Sequence, residues 1–210
     1  MIVGGNFAGL AALRELQNNP LFRVILVDQR EYFEYTPGIL RLFLEPHFIH
    51  KLAFPLPHGS HQIIQGTVTN TADKQLNYTD AATRQSKTLE FDYLILATGS
   101  TYHYPVTASP SETSITARAK GWKMSARKVQ EASSILILGG GAVGTELAAE
   151  IVDHYSCKKK TVTLVDASHR LVPLFKNPRV SDYAADWLTS RGCTLPVSYT
   201  HLTLPTICSV

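Results

Sequence analysis

The sequence predicts an α/β protein made of two copies of one strand–turn–helix–strand unit, and three observations carry that prediction. Residues 1–16 (MIVGGNFAGLAALREL) read as a short apolar strand, a glycine turn and a helix, and residues 135–150 (ILILGGGAVGTELAAE) repeat that order. Each copy leads to a second apolar strand that ends in an acid, RVILVD closing on Asp28 and TVTLVD closing on Asp166. The acid stands 19 residues beyond Gly9 in the first copy and 22 beyond Gly144 in the second. A strand, a glycine turn opening a helix, and an acid about 20 residues further on are the fingerprint of a Rossmann-like dinucleotide-binding unit.

In the first unit the turn is Gly4, Gly5, Asn6, Phe7, Ala8, Gly9. The first glycine of such a turn permits the tight passage from strand to helix. The second lets a pyrophosphate approach the backbone, and the third lets helix and strand pack closely. The helix N-terminus offers free N–H groups and the positive end of its dipole to phosphates. The acid accepts hydrogen bonds from ribose hydroxyls. Asn6 stands where the second glycine belongs. Asparagine tolerates left-handed backbone better than other non-glycine residues. Its Cβ nevertheless crowds the pyrophosphate, which predicts weaker binding at this turn.

Between the copies, residues 60–98 read as inserted strands. Ile63, Ile64 and Val68 lie in one run and residues 75–78 in a second. Residues 89–96 (LEFDYLIL) form a third, strongly apolar run that ends in Ala97, Thr98 and Gly99. Asn, Asp and Thr clusters separate the runs as turns. Pro105 and the Ser109, Pro110, Ser111 stretch mark a linker. A basic helix follows, in which Arg118, Lys120, Lys123, Arg127 and Lys128 read as a solvated face.

The second turn is complete, with Gly139, Gly141 and Gly144 in the three glycine positions and Gly140, Ala142 and Val143 between them. Asp166 suits the free 2′-hydroxyl of NADH and repels the 2′-phosphate of NADPH. Lys158, Lys159 and Lys160 precede that strand and read as a solvated turn.

Composition narrows the function classes. The chain has 210 residues, 44% hydrophobic and 18% charged, which excludes intrinsic disorder. A net charge of +3 gives no general electrostatic case for nucleic acid. No apolar stretch approaches the roughly 20 residues of a membrane-spanning helix. Residues 1–5 lack both the basic start of a secretory signal and a Met-Gly myristoylation start. The cysteines, Cys157, Cys193 and Cys208, include no close pair, which argues against a disulfide framework and a zinc site. A reducing compartment, cytoplasm or mitochondrion, is expected. His47, His50, His58 and His61 form a loose cluster whose spacing suits no standard metal site. Residues 197–210 carry no Lys, Arg, Asp or Glu and resemble the translation of transposase-type sequencing adapter DNA. On that ground they carry no information about the fold, and no function is expected of His201 or Cys208.

A glycine turn at the start, Ala-Thr-Gly about a hundred residues on, and a second glycine turn shortly after resemble the two-dinucleotide-binding flavoproteins of the pyridine nucleotide-disulfide oxidoreductase type. The resemblance covers residues 1 to about 195. It implies an incomplete FAD-binding domain over residues 1–105 that lacks its closing segment, a linker and helix over 106–130, and an NAD(P)H-binding domain over 131–196, truncated at its C-terminal side. Residues 35–41 (YTPGILR) look like the flavin-facing loop of type II NADH dehydrogenases and of apoptosis-inducing-factor-like quinone reductases, the ferroptosis suppressors. On this resemblance Gly4, Gly5, Asn6, Phe7, Ala8 and Gly9 would line the FAD pyrophosphate and Asp28 would hold its ribose. Pro37 and Arg41 would lie at the flavin, Val68 would touch the adenine, and Ala97, Thr98 and Gly99 would pass close to the dinucleotide. The NADH set would be Gly139, Gly140, Gly141, Ala142, Val143, Gly144 and Asp166. Glu146 would correspond to the family glutamate near the nicotinamide and is the one catalytic candidate; the alternative is a surface helix glutamate.

The same resemblance narrows the reaction. Disulfide reductases of this type need a cysteine pair at the flavin, and the related peroxidases need one reactive cysteine in the first domain. Residues 1–156 contain no cysteine. What remains is hydride transfer from NADH to FAD, followed by transfer of electrons to a quinone or another small acceptor. One alternative is a flavin monooxygenase, although no Phe-x-Gly-x-x-x-His precedes the second turn. The other is a non-catalytic, NADH-sensing interaction protein of the apoptosis-inducing-factor kind. The resemblance also implies a homodimer and a peripheral membrane contact through C-terminal parts absent from this sequence, so the fragment alone is expected to be inactive.

Overall fold

The computed structural model describes residues 1–155 and 160–196. Cys157, Lys158 and Lys159, and the adapter-like residues 197–210 with His201 and Cys208, lie outside them. The chain forms two compact units. One comprises Met1–Ile39 and His47–Lys123, and the other Leu40–Pro46 and the residues from Met124 onward. The segment 106–130, expected as a linker and helix, divides between them.

The first unit is built on a six-stranded sheet. Strand β1 (Ile2–Val3) is short, apolar and buried, and leads through the glycine turn into helix α1 (Phe7–Leu16). Gly9, Leu13 and Leu16 recur at helical spacing. Leu13 is buried against Ile2, Val24, Leu26 and Leu56, with Leu16 packed beside them. Strand β2 (Ile25–Asp28) lies parallel to β1 with Ile2 opposite Leu26. A small antiparallel pair follows, β3 (Tyr32–Glu34) and β4 (Ala53–Pro55), separated by 3-10 turns and the short helix α2 (Ile49–Leu52).

The inserted strands are β5 (Gln62–Ala72), β6 (Gln75–Asp80) and β7 (Ser86–Glu90). β5 begins parallel to β2 and then turns antiparallel to β6, slipping register between Val68 and Asn70. Asp73 and Lys74 make the β5–β6 hairpin turn with both residues at positive φ, the geometry that matches strand twist in a two-residue loop. The apolar run 89–96 is not one strand. Leu89 and Glu90 close β7, and Ile95–Leu96 form β8, which pairs parallel with β1. Periodicity within an apolar run does not reveal such a break. It is fixed by two separate backbone partners, Phe91 N–H donating to the Lys74 carbonyl and Ile95 N–H to the Met1 carbonyl. The sheet order is β7-β6-β5-β2-β1-β8.

Helix α3 (Ile115–Glu131) corrects a second expectation. Lys120, Lys123, Arg127 and Lys128 are exposed, but Arg118 is fully buried. It lies one turn before Trp122, which is also fully buried, on the face continued by Ser125 and Ala126. The guanidinium donates to both oxygens of Glu34, at 2.7 and 3.0 Å, and to Glu112 Oε2 at 2.9 Å. It also donates to the carbonyls of Pro105 and Val106 and lies 4.8 Å from the Trp122 ring centre. Burial works against its charge, and the carboxylates of Glu34 and Glu112 more than offset that, so its pKa stands above the ordinary arginine value.

The second unit is a three-stranded parallel sheet of order β11-β10-β9. Its elements are β9 (Ser134–Leu138), α4 (Ala142–His154), β10 (Thr161–Val165), α5 (Pro178–Ser190) and β11 (Cys193–Thr194). Ile137, Ala148, Ile151, Val162, Leu164, Leu171 and Leu188 form its core, with the buried free thiol of Cys193 among them. Among the described residues no helix is long and apolar enough to cross a membrane, and no group of His, Cys, Asp and Glu could hold a metal ion.

Candidate functional site

Both glycine turns sit at the carboxyl ends of parallel strands, where open α/β sheets bind ligands. Their geometry repeats almost bond for bond. Gly4 has φ +103° and Gly139 has φ +107°, so each first glycine holds the left-handed conformation that a side chain disfavours. Each donates its N–H to the neighbouring strand, Gly4 to Val27 at 2.9 Å and Gly139 to Val165 at 2.8 Å. A Cβ on Gly9 would fall 1.7 Å from the Gly4 carbonyl oxygen, and one on Gly144 1.9 Å from that of Gly139. The third glycine is therefore demanded by helix–strand contact. A Cβ on Gly4 would also fall 2.2 Å from the Ala97 carbonyl, so the Ala97, Thr98, Gly99 segment crosses close to the first turn.

The two acids are tied to the turns in the same way. Asp28 accepts from Gly5 N–H at 2.5 Å and from Arg30 N–H at 2.7 Å. Asp166 accepts from Gly140 N–H and from Ser168 N–H, the latter at 2.6 Å. Partial burial opposes the charge on Asp166, and these donors outweigh it and hold its carboxyl below the ordinary range. A carboxylate has about four lone-pair sites, so acceptor capacity remains for a ribose hydroxyl. In the second unit the residues after the acid fold back on the turn. Val172, at φ +44°, donates its N–H to the Gly140 carbonyl at 2.7 Å. A β-branched residue at positive φ is strained, and this strap was invisible in the sequence.

The middle position of the turn differs between the units. A Cβ on Gly141 would meet none of the described residues within 4 Å, and the same is true of Gly139. Gly141 opens α4 with no side-chain cap. This open cradle at a helix N-terminus fits a pyrophosphate. Asn6 is also extended, at φ −106° and ψ −158°. The expected tolerance of asparagine for left-handed backbone is therefore not what admits it here; the left-handed position is Gly4. Asn6 instead caps α1, its Oδ1 accepting from Phe7 N–H at 2.9 Å and its Nδ2 donating to the Glu34 carbonyl at 3.1 Å.

Ala8 lies in the first turn of α1, and the Phe7 ring, half exposed, packs edge-on to Phe33 and Tyr35. Val68 packs beside Val3, Leu76 and Tyr78. Gly99, at φ +72°, has none of the described residues within 4 Å of its Cβ position. Pro37 and Arg41 share a 3-10 helix, Thr36–Phe43, but Arg41 belongs to the second unit. It pairs there with Glu45 at 2.8 Å and Glu150 at 3.5 Å. Ala142 and Val143 start α4, and Glu146 is exposed one turn further on. Desolvation and then the nearby Glu150 raise the pKa of Glu146 above its ordinary value.

The pyridine nucleotide-disulphide oxidoreductase family matches residues 1–200. Apoptosis-inducing factor homolog B of Dictyostelium discoideum is 32% identical over 190 residues, covering 87% of this chain and 46% of that protein. Human ferroptosis suppressor protein 1 is 31% identical over 202 residues, covering 94% and 52%. The chain thus spans about half the length of the curated relatives it matches. Among solved structures, NDH2 from Plasmodium falciparum in complex with NADH superposes with a TM-score of 0.72 at 17% identity, over 97% of this chain and 48% of that one. The sulfide:quinone oxidoreductase of Aquifex aeolicus does so with a TM-score of 0.74 at 19% identity, over 94% and 50%. At those identities the likeness is one of fold, and it extends over both glycine turns. With nearly its whole length matched by one family, the chain belongs to the pyridine nucleotide-disulphide oxidoreductases, a family of FAD-dependent flavoproteins.

Proposed function

We propose that this chain forms the cofactor-binding part of an oxidoreductase that takes hydride from NADH onto FAD and passes electrons to a quinone-type acceptor without a redox-active disulfide. The observation that carries the reading is the pair of geometrically matched turns, each with its acid, in a sequence with no cysteine over residues 1–156. The first turn with Asp28 is the FAD site, together with Pro37, Val68, Ala97, Thr98 and Gly99 of the same unit. The second turn with Asp166 is the NADH site. Relatives named for ferroptosis suppression and neighbours named for NADH and quinone support this choice of partners.

Flavin, when bound, accepts a hydride and releases electrons singly or in pairs to the acceptor. The protein's own contribution is position and charge. The open space at Gly139 and Gly141 admits the pyrophosphate to the backbone of α4. Asp166 takes a ribose hydroxyl on its remaining lone pairs, and its charge disfavours a 2′-phosphate, which selects NADH over NADPH. Glu146, with its raised pKa, is the carboxyl assigned to the nicotinamide end. Anaerobic titration tests the whole reading. Full-length protein reconstituted with FAD should lose its flavin absorption on adding NADH and regain it on adding a quinone. Bound FAD that stays oxidised under excess NADH refutes the proposal.

The self-capped Asn6 favours a second reading, an NADH-responsive interaction protein in which weak flavin binding is tolerated. NADH-dependent change of sedimentation without steady-state turnover would select it.

A further inference from the structure

We propose that Asn6 is a built-in occupant of the first phosphate cradle, so that FAD must displace its side chain from the helix it would bind. This rests on the reading of the first turn as the FAD site. The N–H groups that open a helix have no intrahelical partner and are the donors a phosphate uses. At the first of them, Phe7, the donor is already taken by Asn6 Oδ1 at 2.9 Å. The other end of the same amide is held by the Glu34 carbonyl at 3.1 Å. Glu34 is itself fixed, since its carboxylate takes two hydrogen bonds from buried Arg118. The amide therefore bridges the turn to an immobilised strand.

The second unit supplies an internal control. Gly141 occupies the equivalent position, shares the extended backbone (φ −69°, ψ −174°), and has no side-chain cap and, among the described residues, no neighbour near its Cβ position. The two turns agree at the first glycine, the third glycine and the acid, and they differ at the residue that meets the phosphate. An asparagine cap favours the empty, folded turn over the same turn with its N–H exposed. Asn6 thereby keeps the first unit ordered without cofactor and makes the bound dinucleotide more readily exchanged.

The test uses the full-length protein, with FAD binding and thermal unfolding as readouts. Asn6→Gly and Asn6→Ala should each tighten FAD binding in equilibrium dialysis by about tenfold, the worth of one helix cap. The same variants should lower the melting temperature of the FAD-free protein by about 2–4 °C. Gly141→Asn, which transplants the cap, should weaken NADH binding by a similar factor. Tightening by Asn6→Gly alone, with Asn6→Ala like the parent, would mean that the Cβ merely crowds the site and would overturn the capping role. Affinity unchanged or weakened in both Asn6 variants would overturn it as well. Failure of the parent and of every variant to take up FAD would overturn the FAD assignment itself, and the proposal with it.

Discussion

Replacing Arg118 by methionine removes the cation held between Glu34 and Glu112 while keeping most of the side chain's volume. Five hydrogen bonds go with it, two to Glu34, one to Glu112, and one each to the Pro105 and Val106 carbonyls. Relative side-chain exposures of 0% for Arg118, 1% for Glu34 and 7% for Glu112 mean that water does not replace what is lost. Removing one partner of a buried ion pair costs about 3–5 kcal/mol, chiefly because the other charge stays buried without compensation. Two carboxylates are stranded here, so the cost should lie near about 5 kcal/mol, against the roughly 5–15 kcal/mol that holds a typical domain together. Urea denaturation followed by tryptophan fluorescence reads it as a lowered midpoint at unchanged slope. Adding Glu34→Gln to Arg118→Met should restore part of the loss, since a neutral amide is cheaper to bury than a carboxylate. Arg127→Met is the control: its 2.6 Å pair with Glu131 is exposed on both sides and should contribute nothing measurable. An Arg118→Met chain as stable as the Arg127→Met chain would refute the account of the cluster.

Three further outcomes follow from the geometry. Gly9→Ala and Gly144→Ala each push a Cβ against a backbone carbonyl and should destabilise by about 1–3 kcal/mol or more in denaturation; parental midpoints would show that the helix and strand can separate without cost. Asp166→Asn should lower NADH affinity about tenfold and narrow the gap to NADPH in fluorescence titrations, and a gap left unchanged would remove Asp166 as the selector. Burial, then the nearby Glu34, pushes the Tyr32 phenol up to about 12, so its neutral form is favoured in the folded state. A raised pKa contributes stability that is complete below the unfolded value of about 10 and is lost as pH climbs through the folded one. Between pH 10 and 12 the parent should lose roughly 2 kcal/mol more than Tyr32→Phe, and parallel pH profiles would contradict this.

The glycine turns were legible because their signal is local. Gly4, Gly9, Gly139 and Gly144 are each required by a contact or a φ angle within a few residues, or by the strand alongside, and the acids follow at a spacing that one strand–helix–strand passage dictates. The break in residues 89–96 was not legible, because an apolar run looks the same whether it serves one strand or two. Asn6 was half legible. Its place in the motif is a matter of sequence, but its bridging role needs Glu34, 28 residues away, to present a carbonyl. The basic helix misled in one residue: charge alone put Arg118 in solvent, whereas the four-residue spacing to Trp122 marked the inward face.

The sequence by itself determined the duplicated dinucleotide-binding framework, the identity of the two acids and the lack of cysteine over residues 1–156. Tertiary structure alone decided which polar groups are buried and which donors are already taken. Arg118 meets Glu34 across 84 residues of chain, and Asp166 is tied to Gly140 across 26. Local propensity fixes a turn within a few residues, but desolvation and hydrogen-bond saturation depend on what the rest of the fold brings alongside, and no spacing in the chain encodes that.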